Sequence, residues 1–176
     1  MDREDSDDTR PGGLRLAPLG AGDQERGRGW PAPPAVLAWW GSRSRAEAEI
    51  ALAAASPSAI CRILQVHDRP IGYAHAIDAV LLDGGSSASA ESGAWECTIF
   101  IASEIDRGRG VGTAALRLLA AEVFSATLAV ACRLRVPVSR EPAVRAIEAA
   151  GFRWQRIEQD ASLGSVWLMR CERPRR

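Results

Sequence analysis

The chain has 176 residues, which is the usual size of one domain and is long enough for a hydrophobic core. Its 22 acidic and 22 basic side chains give a net charge of zero, and no basic run with interleaved aromatic residues occurs, so nucleic acid is not an expected partner. The absence of an apolar run of about eighteen residues argues against a membrane-spanning helix, and the acidic N-terminus is unlike a signal peptide, so we expect a cytoplasmic protein.

The four cysteines, at positions 61, 97, 132 and 171, are far apart and form no CxxC pair. Because the chain also has only two histidines, the sequence predicts no metal site. In a reducing compartment, cysteines of this kind are usually small buried hydrophobic residues.

The N-terminal third begins with an acidic segment, 1–12, that we expect to be a mobile tail. A short strand is predicted from Leu14 to Leu19, and a helix from about Ser44 to Ala55, where small and apolar residues recur on one face. Between them stand two adjacent tryptophans, Trp39 and Trp40. Either one fills the core while the other covers it, or one of them forms the wall of a binding pocket.

Two further strands, 59–66 and 70–78, are predicted to form a hairpin that turns at residues 67–69. Because side chains alternate along a strand, Tyr73 and His75 share one face of the second strand. The glycine- and serine-rich stretch that follows is predicted to be a flexible connection to the next strand.

The central part of the chain reads as strand, glycine loop and helix. Aromatic and β-branched residues predict a strand from Trp95 to Ala102, the loop is Arg107-Gly-Arg-Gly-Val-Gly112, and apolar residues recur at helical spacing from Val111 onward. At such a junction several unpaired backbone N–H groups and the positive end of the helix dipole point at one spot. This arrangement suits a phosphate or pyrophosphate group.

Two common phosphate-binding motifs do not match this loop. A Walker loop requires a lysine, and all 22 basic residues of the chain are arginine. The dinucleotide motif GxGxxG can begin at Gly108, but Thr113 occupies its last glycine position, and we do not expect a βαβ unit around it.

After the central helix, the sequence predicts a strand at 126–136, a helix that has Pro142 in its first turn and ends at Gly151, and a closing hairpin. Ser139 or Glu141 is the expected cap of that helix. Residues 173–176 form a basic C-terminal end that we expect to be solvated.

The pattern Arg-x-x-Gly-x-Gly at Arg107, Gly110 and Gly112 resembles the acyl-CoA pyrophosphate loop of the GCN5-related N-acetyltransferases, the GNAT family. The stretch from Val136 to Arg153, a strand that runs into a helix ending in Ala-Gly-Phe, resembles the second signature of that family. The Trp-Trp-Gly at 39–41 is similar to the corresponding stretch of aminoglycoside 6'-N-acetyltransferases. The resemblance covers a single domain, residues 13–172.

The resemblance implies an α/β fold with a twisted, mostly antiparallel mixed sheet, a splayed central pair of strands and helices on both faces. It also implies transfer of an acetyl group from acetyl-CoA to the primary amine of a small molecule. The alternatives are a non-catalytic acyl-CoA-binding sensor and an enzyme that acetylates the N-termini of proteins or peptides. Dimers are frequent in the family, so the resemblance leaves room for a homodimer.

The family's motifs assign the cofactor-binding residues by position. Residues 100–103 are expected to hold the pantetheine arm, and 107–113 the pyrophosphate. The individual residues are Phe100, Ile101, Ala102, Ser103, Arg107, Gly108, Arg109, Gly110, Val111, Gly112 and Thr113. For the acceptor we expect Trp39 or Trp40 in the pocket wall and Asp78 as a negative charge.

Catalysis requires a base for the acceptor amine, and Glu96 is the predicted one. It precedes by two residues Thr98, where the similar aminoglycoside enzymes carry an aspartate. The alternative is that Glu96 is a structural carboxylate paired with an arginine. Ile147 stands where the family usually has a thiolate-protonating tyrosine, which leaves Tyr73, His75 or water for that role.

Overall fold

The computed structural model describes residues 13–19, 34–38, 40–82 and 92–175. The predictions for the acidic tail, for Trp39 and for most of the glycine- and serine-rich connection therefore lie outside the described residues.

Seven strands form one sheet in the order β1-β2-β3-β4-β5-β7-β6. Their bounds are β1 Leu14–Pro18, β2 Ile60–Val66, β3 Arg69–Asp78, β4 Ala94–Ile101, β5 Ala131–Pro137, β6 Arg153–Asp160 and β7 Gly164–Glu172. All neighbouring pairs are antiparallel except β4 and β5, which are parallel. The prediction of a mixed, mostly antiparallel sheet is confirmed.

Three longer helices accompany the sheet: α1 Arg43–Ala55, α2 Val111–Ala126 and α3 Glu141–Ala149. The Ser42 side chain caps α1 by accepting a hydrogen bond from the Arg45 N–H at 3.2 Å. A short helix, Pro34–Leu37, precedes α1. Two further short segments, Ala79–Leu82 and the 3₁₀ turn Glu104–Asp106, were not predicted, because segments of three or four residues carry no periodic signal.

The predicted hairpin is confirmed, with β2 and β3 joined at His67 and Asp68. Both residues have positive φ angles, 48° and 64°, and such paired left-handed residues match the twist of a tight hairpin. Gly151, whose φ is 101°, follows the end of α3 as expected for a helix C-terminus.

Two predicted boundaries are wrong. The strand placed at 126–136 begins at Ala131, because α2 continues to Ala126 and Thr127 then ends it by donating from its N–H and its hydroxyl to the Val123 carbonyl. The N-cap position of α3 is Arg140, which makes no side-chain capping hydrogen bond, so neither Ser139 nor Glu141 caps the helix.

The sheet has a packed cluster on each face, as the alternation along β3 requires. Ala74 and Ala76 point into the larger cluster, which includes the buried residues of α2, whereas Tyr73 points into a smaller cluster with Trp40 and Phe100, beside α1. Helices therefore cover both faces. None of the helices in the described part of the chain is long and apolar enough to cross a membrane.

The predicted basic end begins inside the folded domain. Arg173 donates hydrogen bonds to the carbonyls of Phe124, Thr127 and Ala129, at 2.6 to 2.7 Å. A cation at this position satisfies carbonyl groups at the C-terminus of α2 and opposes the negative end of its dipole.

The parallel strands β4 and β5 separate after three paired residues, the last of which is Glu96 opposite Arg133. Beyond that point β4 remains paired with β3 as far as Ile101, and β5 remains paired with β7 as far as Pro137. The two strands thus diverge and leave a gap in the middle of the sheet, which confirms the splayed central pair.

Candidate active site

A cavity of about 860 Å³ occupies the gap between β4 and β5, a volume typical of small-molecule sites. Its walls come from β4, the glycine loop, α3 and α1. The lining residues used below include Glu49, Glu96, Thr98, Gly110, Gly112 and Ile147. A second cavity of about 490 Å³ adjoins it.

The glycine loop delivers the N-terminus of α2 to one side of the cavity. Gly108 and Gly110 have φ angles of 72° and 76°, which glycine adopts without strain. The first bond of the helix runs from the Ala114 N–H to the Gly110 carbonyl at 3.0 Å. The N–H groups of residues 111–113 therefore have no acceptor within the helix, and the positive end of its dipole lies beside them.

The two loop arginines differ in their surroundings. Arg107 donates from Nε to the Ile101 carbonyl at 2.9 Å and from Nη2 to the Ala102 carbonyl at 3.0 Å, so it ties the loop to the end of β4. Arg109 is exposed. Arg107 thus holds the loop in place through backbone carbonyls of residues 101 and 102, and Arg109 adds positive charge at the surface.

The end of β4 is fixed by an unusually close approach to β3. The N–H groups of Ala102 and Ser103 both donate to the Ile71 carbonyl, at 2.8 and 3.1 Å. A Cβ atom at Gly72 would lie 2.2 Å from the Phe100 carbonyl oxygen, so only glycine fits there. The predicted pantetheine segment, 100–103, is therefore held rigidly at the edge of the gap.

A carboxylate that the sequence analysis did not single out, Glu49 on α1, faces β4 across the cavity. The Thr98 hydroxyl donates to its Oε1 at 2.7 Å, and Nε2 of His75 lies 3.4 Å from the same oxygen. Burial raises the pKa of the Glu49 carboxyl, but the interactions with His75, Thr98 and Trp40 outweigh it and hold this pKa below its usual value. No local signal separates Glu49 from the neighbouring Glu47, because only the packing of α1 on the sheet decides which of them faces the cavity.

The predicted alternatives for proton transfer, His75 and Tyr73, lie beneath the cavity rather than in its wall. His75 is fully buried, and its ring packs against that of Tyr73 with centroids 5.6 Å apart. Burial raises the pKa of Tyr73 well above its usual range, and its hydroxyl has no hydrogen-bond partner among the described residues. Of the two, only His75 lies beside the cavity-lining carboxylate of Glu49, whereas Tyr73 packs against the ring of Phe100, with centroids 5.8 Å apart.

Glu96, the predicted base, lies where β4 and β5 separate and is 4% exposed. Nε of Arg133 is 2.7 Å from its Oε2, and Nη1 of Arg135 is 3.0 Å from its Oε1. Burial raises the pKa of Glu96, and the charges of Arg135 and Arg133 act against that increase. This geometry matches the alternative of a structural, arginine-paired carboxylate, and the role as base stays a prediction.

Of the predicted acceptor residues in the described part of the chain, Trp40 lies at the cavity and Asp78 does not. Trp40 lines the cavity, is 3% exposed and meets Phe100 edge-to-face with ring centroids 5.3 Å apart, so it both fills the core and forms a wall. Asp78 instead accepts a hydrogen bond from the Val80 N–H at 2.9 Å, where the helical turn 79–82 begins. It is not among the residues that line the cavity.

The two cavities share one end, which we call the shared end. It consists of Arg45, Glu49, Leu82, Arg135 and Asp160. Arg45 donates from Nη1 and Nη2 to the two carboxylate oxygens of Asp160 at 2.6 and 2.7 Å, which links α1 to the turn between β6 and β7. This hydrogen bonding holds the pKa of Asp160 well below its usual range.

On the opposite side, α3 presents Ile147 to the cavity, the residue that the sequence resemblance places at the family's tyrosine position. The Ile147 side chain offers no proton donor. The Thr113 hydroxyl of α2 donates to the Ala146 carbonyl at 3.0 Å and thereby fixes the two helices to each other at the cavity.

A family model described as an acetyltransferase (GNAT) domain matches residues 21–159. Solved structures share the fold. The aminoglycoside acetyltransferase AAC(6')-Ib with coenzyme A and kanamycin is 23% identical, with 92% of this chain and 94% of that chain covered and a TM-score of 0.72. Spermidine N-acetyltransferase from Vibrio cholerae with CoA and spermine is 16% identical, with coverages of 90% and 95% and a TM-score of 0.70.

An aminoglycoside N(6')-acetyltransferase from Legionella pneumophila is 17% identical, with 90% and 91% covered and a TM-score of 0.70. No curated protein sequence matches the chain. At these identities the solved structures establish the fold, whereas the family model spans most of the sequence. The splayed strands, the glycine loop and the family match together show that the chain belongs to the GNAT family of acetyltransferases.

Proposed function

We propose that the protein transfers the acetyl group of acetyl-CoA to a primary amine of a small molecule, the class of acceptor that includes aminoglycosides. The observation that carries this proposal is the cavity between β4 and β5, which has the positive end of α2 on one side and the carboxylate of Glu49 on another. The structures of AAC(6')-Ib with coenzyme A and kanamycin, and of a spermidine acetyltransferase with CoA and spermine, support the donor and the amine acceptor.

The donor half of the cavity suits a pyrophosphate. Gly110 and Gly112 carry no side chain, so an anion can approach the N–H groups of residues 111–113. Arg109 adds a positive charge nearby, and Arg107 keeps the loop attached to β4. The pantetheine arm lies along residues 100–103, at the free edge of β4.

The acceptor half requires a negative group, because at pH 7 only about one alkyl amine in a few thousand is neutral. Glu49 binds the ammonium group and accepts its proton. The Thr98 hydroxyl holds that carboxylate in place with its hydrogen bond, and Nε2 of His75 lies beside it, 3.4 Å away. We prefer Glu49 to Glu96 as the base because two arginines hold the Glu96 carboxylate.

In the reaction, the neutral amine nitrogen attacks the thioester carbonyl carbon and a nitrogen–carbon bond forms. The carbon–sulfur bond then breaks, the nitrogen releases its extra proton to water, and the departing thiolate takes up a proton from water. Ile147 supplies no acid for this last step. A thiol with a pKa near 8.5 is a good leaving group without one.

The test is acetyl-CoA thiol release across a panel of aminoglycosides, polyamines, simple alkylamines and short peptides. We expect turnover with at least one small amine and an acetylated amine as the product. A folded protein that binds acetyl-CoA but acetylates none of the small amines would overturn the proposal, and turnover confined to peptides would reassign the acceptor class.

A further inference from the structure

Four described acidic residues line the two cavities: Glu49, Glu96, Glu158 and Asp160. Three of them are neutralised by arginines. Glu96 pairs with Arg133 and Arg135, Glu158 with Arg135 and Arg156, and Asp160 with Arg45, at N–O distances of 2.6 to 3.0 Å.

Glu49 is the exception within the described ranges. Its contacts are the neutral hydroxyl of Thr98, the ring of His75 and the side chain of Trp40. The nearest arginine along its helix, Arg45, is one turn away and is engaged with both oxygens of Asp160. The Glu49 side chain is 16% exposed and borders both cavities, so a ligand can reach its charge.

The arginines at the shared end also disfavour a second positively charged group on the ligand. Arg45 and Arg135 line the shared end together with Glu49, and each already has carboxylate partners. A ligand with a second ammonium group would place that group near these two guanidinium groups. Among the described residues, the shared end has no second carboxylate without an arginine partner to offset the repulsion. Like charges placed together in a site disfavour binding strongly.

Several of the other lining residues are uncharged. Leu82 belongs to the shared end, Trp40 and Leu163 border the larger cavity, and Gln159 borders the smaller one. These side chains suit an uncharged ligand body.

We infer that the acceptor carries a single positive charge, bound by Glu49, on an uncharged body, and that polycationic amines are poor acceptors. This inference rests on the proposed function and narrows it to singly charged primary amines. The structurally similar AAC(6')-Ib and spermidine N-acetyltransferase were solved with kanamycin and with spermine. The inference therefore gives this protein a different type of acceptor.

The experiment compares three amines of equal chain length: hexylamine, aminohexanol with a terminal hydroxyl, and hexamethylenediamine. All are fully protonated at pH 7, and the diamine has a statistical advantage because either end can react. Each is tested with the full-length protein as an acceptor, and as an inhibitor of the best acceptor found in the broader panel. We expect kcat/KM for hexylamine and aminohexanol to exceed that for the diamine by about tenfold or more. As inhibitors, hexylamine and aminohexanol should likewise be stronger than the diamine.

A diamine that matches or surpasses aminohexanol, or a broader panel in which spermidine or an aminoglycoside is the best acceptor, would overturn this inference and leave the proposed function standing. Failure of all amines, polycations included, would overturn the proposed function and this inference with it.

Discussion

The hydroxyl of Thr98 on β4 donates a 2.7 Å hydrogen bond to the carboxylate of Glu49 on α1. The family resemblance of the sequence implies an aspartate at the position of Thr98 in the aminoglycoside enzymes. A carboxylate is therefore present beside this position, but it is supplied by the facing helix. This relationship moves the proposed proton acceptor from the strand to α1.

Replacing Thr98 by valine should weaken the site without changing its shape, because valine lacks the hydroxyl that holds Glu49. A hydrogen bond to a charged group contributes about 1.5 to 3 kcal/mol, so we expect kcat/KM for the acceptor to fall about tenfold or more while the KM for acetyl-CoA is unchanged. Steady-state kinetics with each substrate varied would measure this. Thr98→Ser should restore most of the loss, and a fully active valine variant would contradict the role of the bond.

Replacing Glu49 by glutamine should change how the rate depends on pH. The pKa of Glu49 is lowered, so the wild-type carboxylate is ionised throughout pH 6 to 9 and binds the ammonium form, which predicts a nearly constant kcat/KM. In Glu49→Gln only the neutral amine reacts, and its fraction rises tenfold per unit below a pKa of about 10.4.

We therefore expect the variant's kcat/KM to rise about tenfold per pH unit. The ratio of wild-type to variant kcat/KM should be largest at pH 6. The control is Glu47→Gln, an exposed residue of the same helix whose ion-pair partner is Arg43 at 4.0 Å. Glu47→Gln should follow the wild-type profile, and parallel profiles for the two glutamine variants would count against Glu49.

Replacing Glu96 by glutamine should reduce stability more than it reduces catalysis. The change removes the ion pair between Glu96 and Arg133, which is 1% exposed. Breaking a buried ion pair in this way costs about 3 to 5 kcal/mol. Chemical denaturation would measure the free energy of unfolding, and activity at a temperature where the variant is folded should remain within about tenfold of wild type. A folded variant with a loss above about a hundredfold would restore Glu96 as the base.

Replacing Gly72 by alanine should destabilise the contact between β3 and β4. Its Cβ would lie 2.2 Å from the Phe100 carbonyl oxygen, so the strands must shift, at a cost of about 1 to 3 kcal/mol. Thermal unfolding would show the loss, and the KM for acetyl-CoA should rise because residues 100–103 move. Gly112→Ala is the matched control, because its Cβ would meet Ile101 at an ordinary 3.7 Å. Equal melting temperatures for the two variants would refute the close approach.

Replacing Gly112 by aspartate should abolish acetyl-CoA binding while the fold is retained. An acidic side chain in the first turn of α2 is favourable for the helix dipole but repels a pyrophosphate. Calorimetric titration with acetyl-CoA should show binding by wild type, weaker binding by Gly112→Ala, and none by Gly112→Asp. Retained binding by the aspartate variant would show that the pyrophosphate lies elsewhere.

Much of the fold follows from the sequence because its signals are local. The alternation in β3, the glycines that accept positive φ at 108 and 110, and the helical spacing from Val111 each act within a few residues. The boundary of β5 and the cap of α3 were misplaced, since helix ends depend on single hydrogen bonds such as that of Thr127 to Val123.

The sequence by itself thus determined the glycine loop, the order of elements and the family to which they belong. Only the tertiary structure decided which carboxylate is available for chemistry. Glu96 and Arg133 are 37 residues apart, and Glu49 and Thr98 are 49 apart, so their partners are set by the pairing of β4 with β5 and by the packing of α1 on the sheet. Long-range pairing neutralises Glu96 and leaves Glu49 without an arginine partner among the described residues.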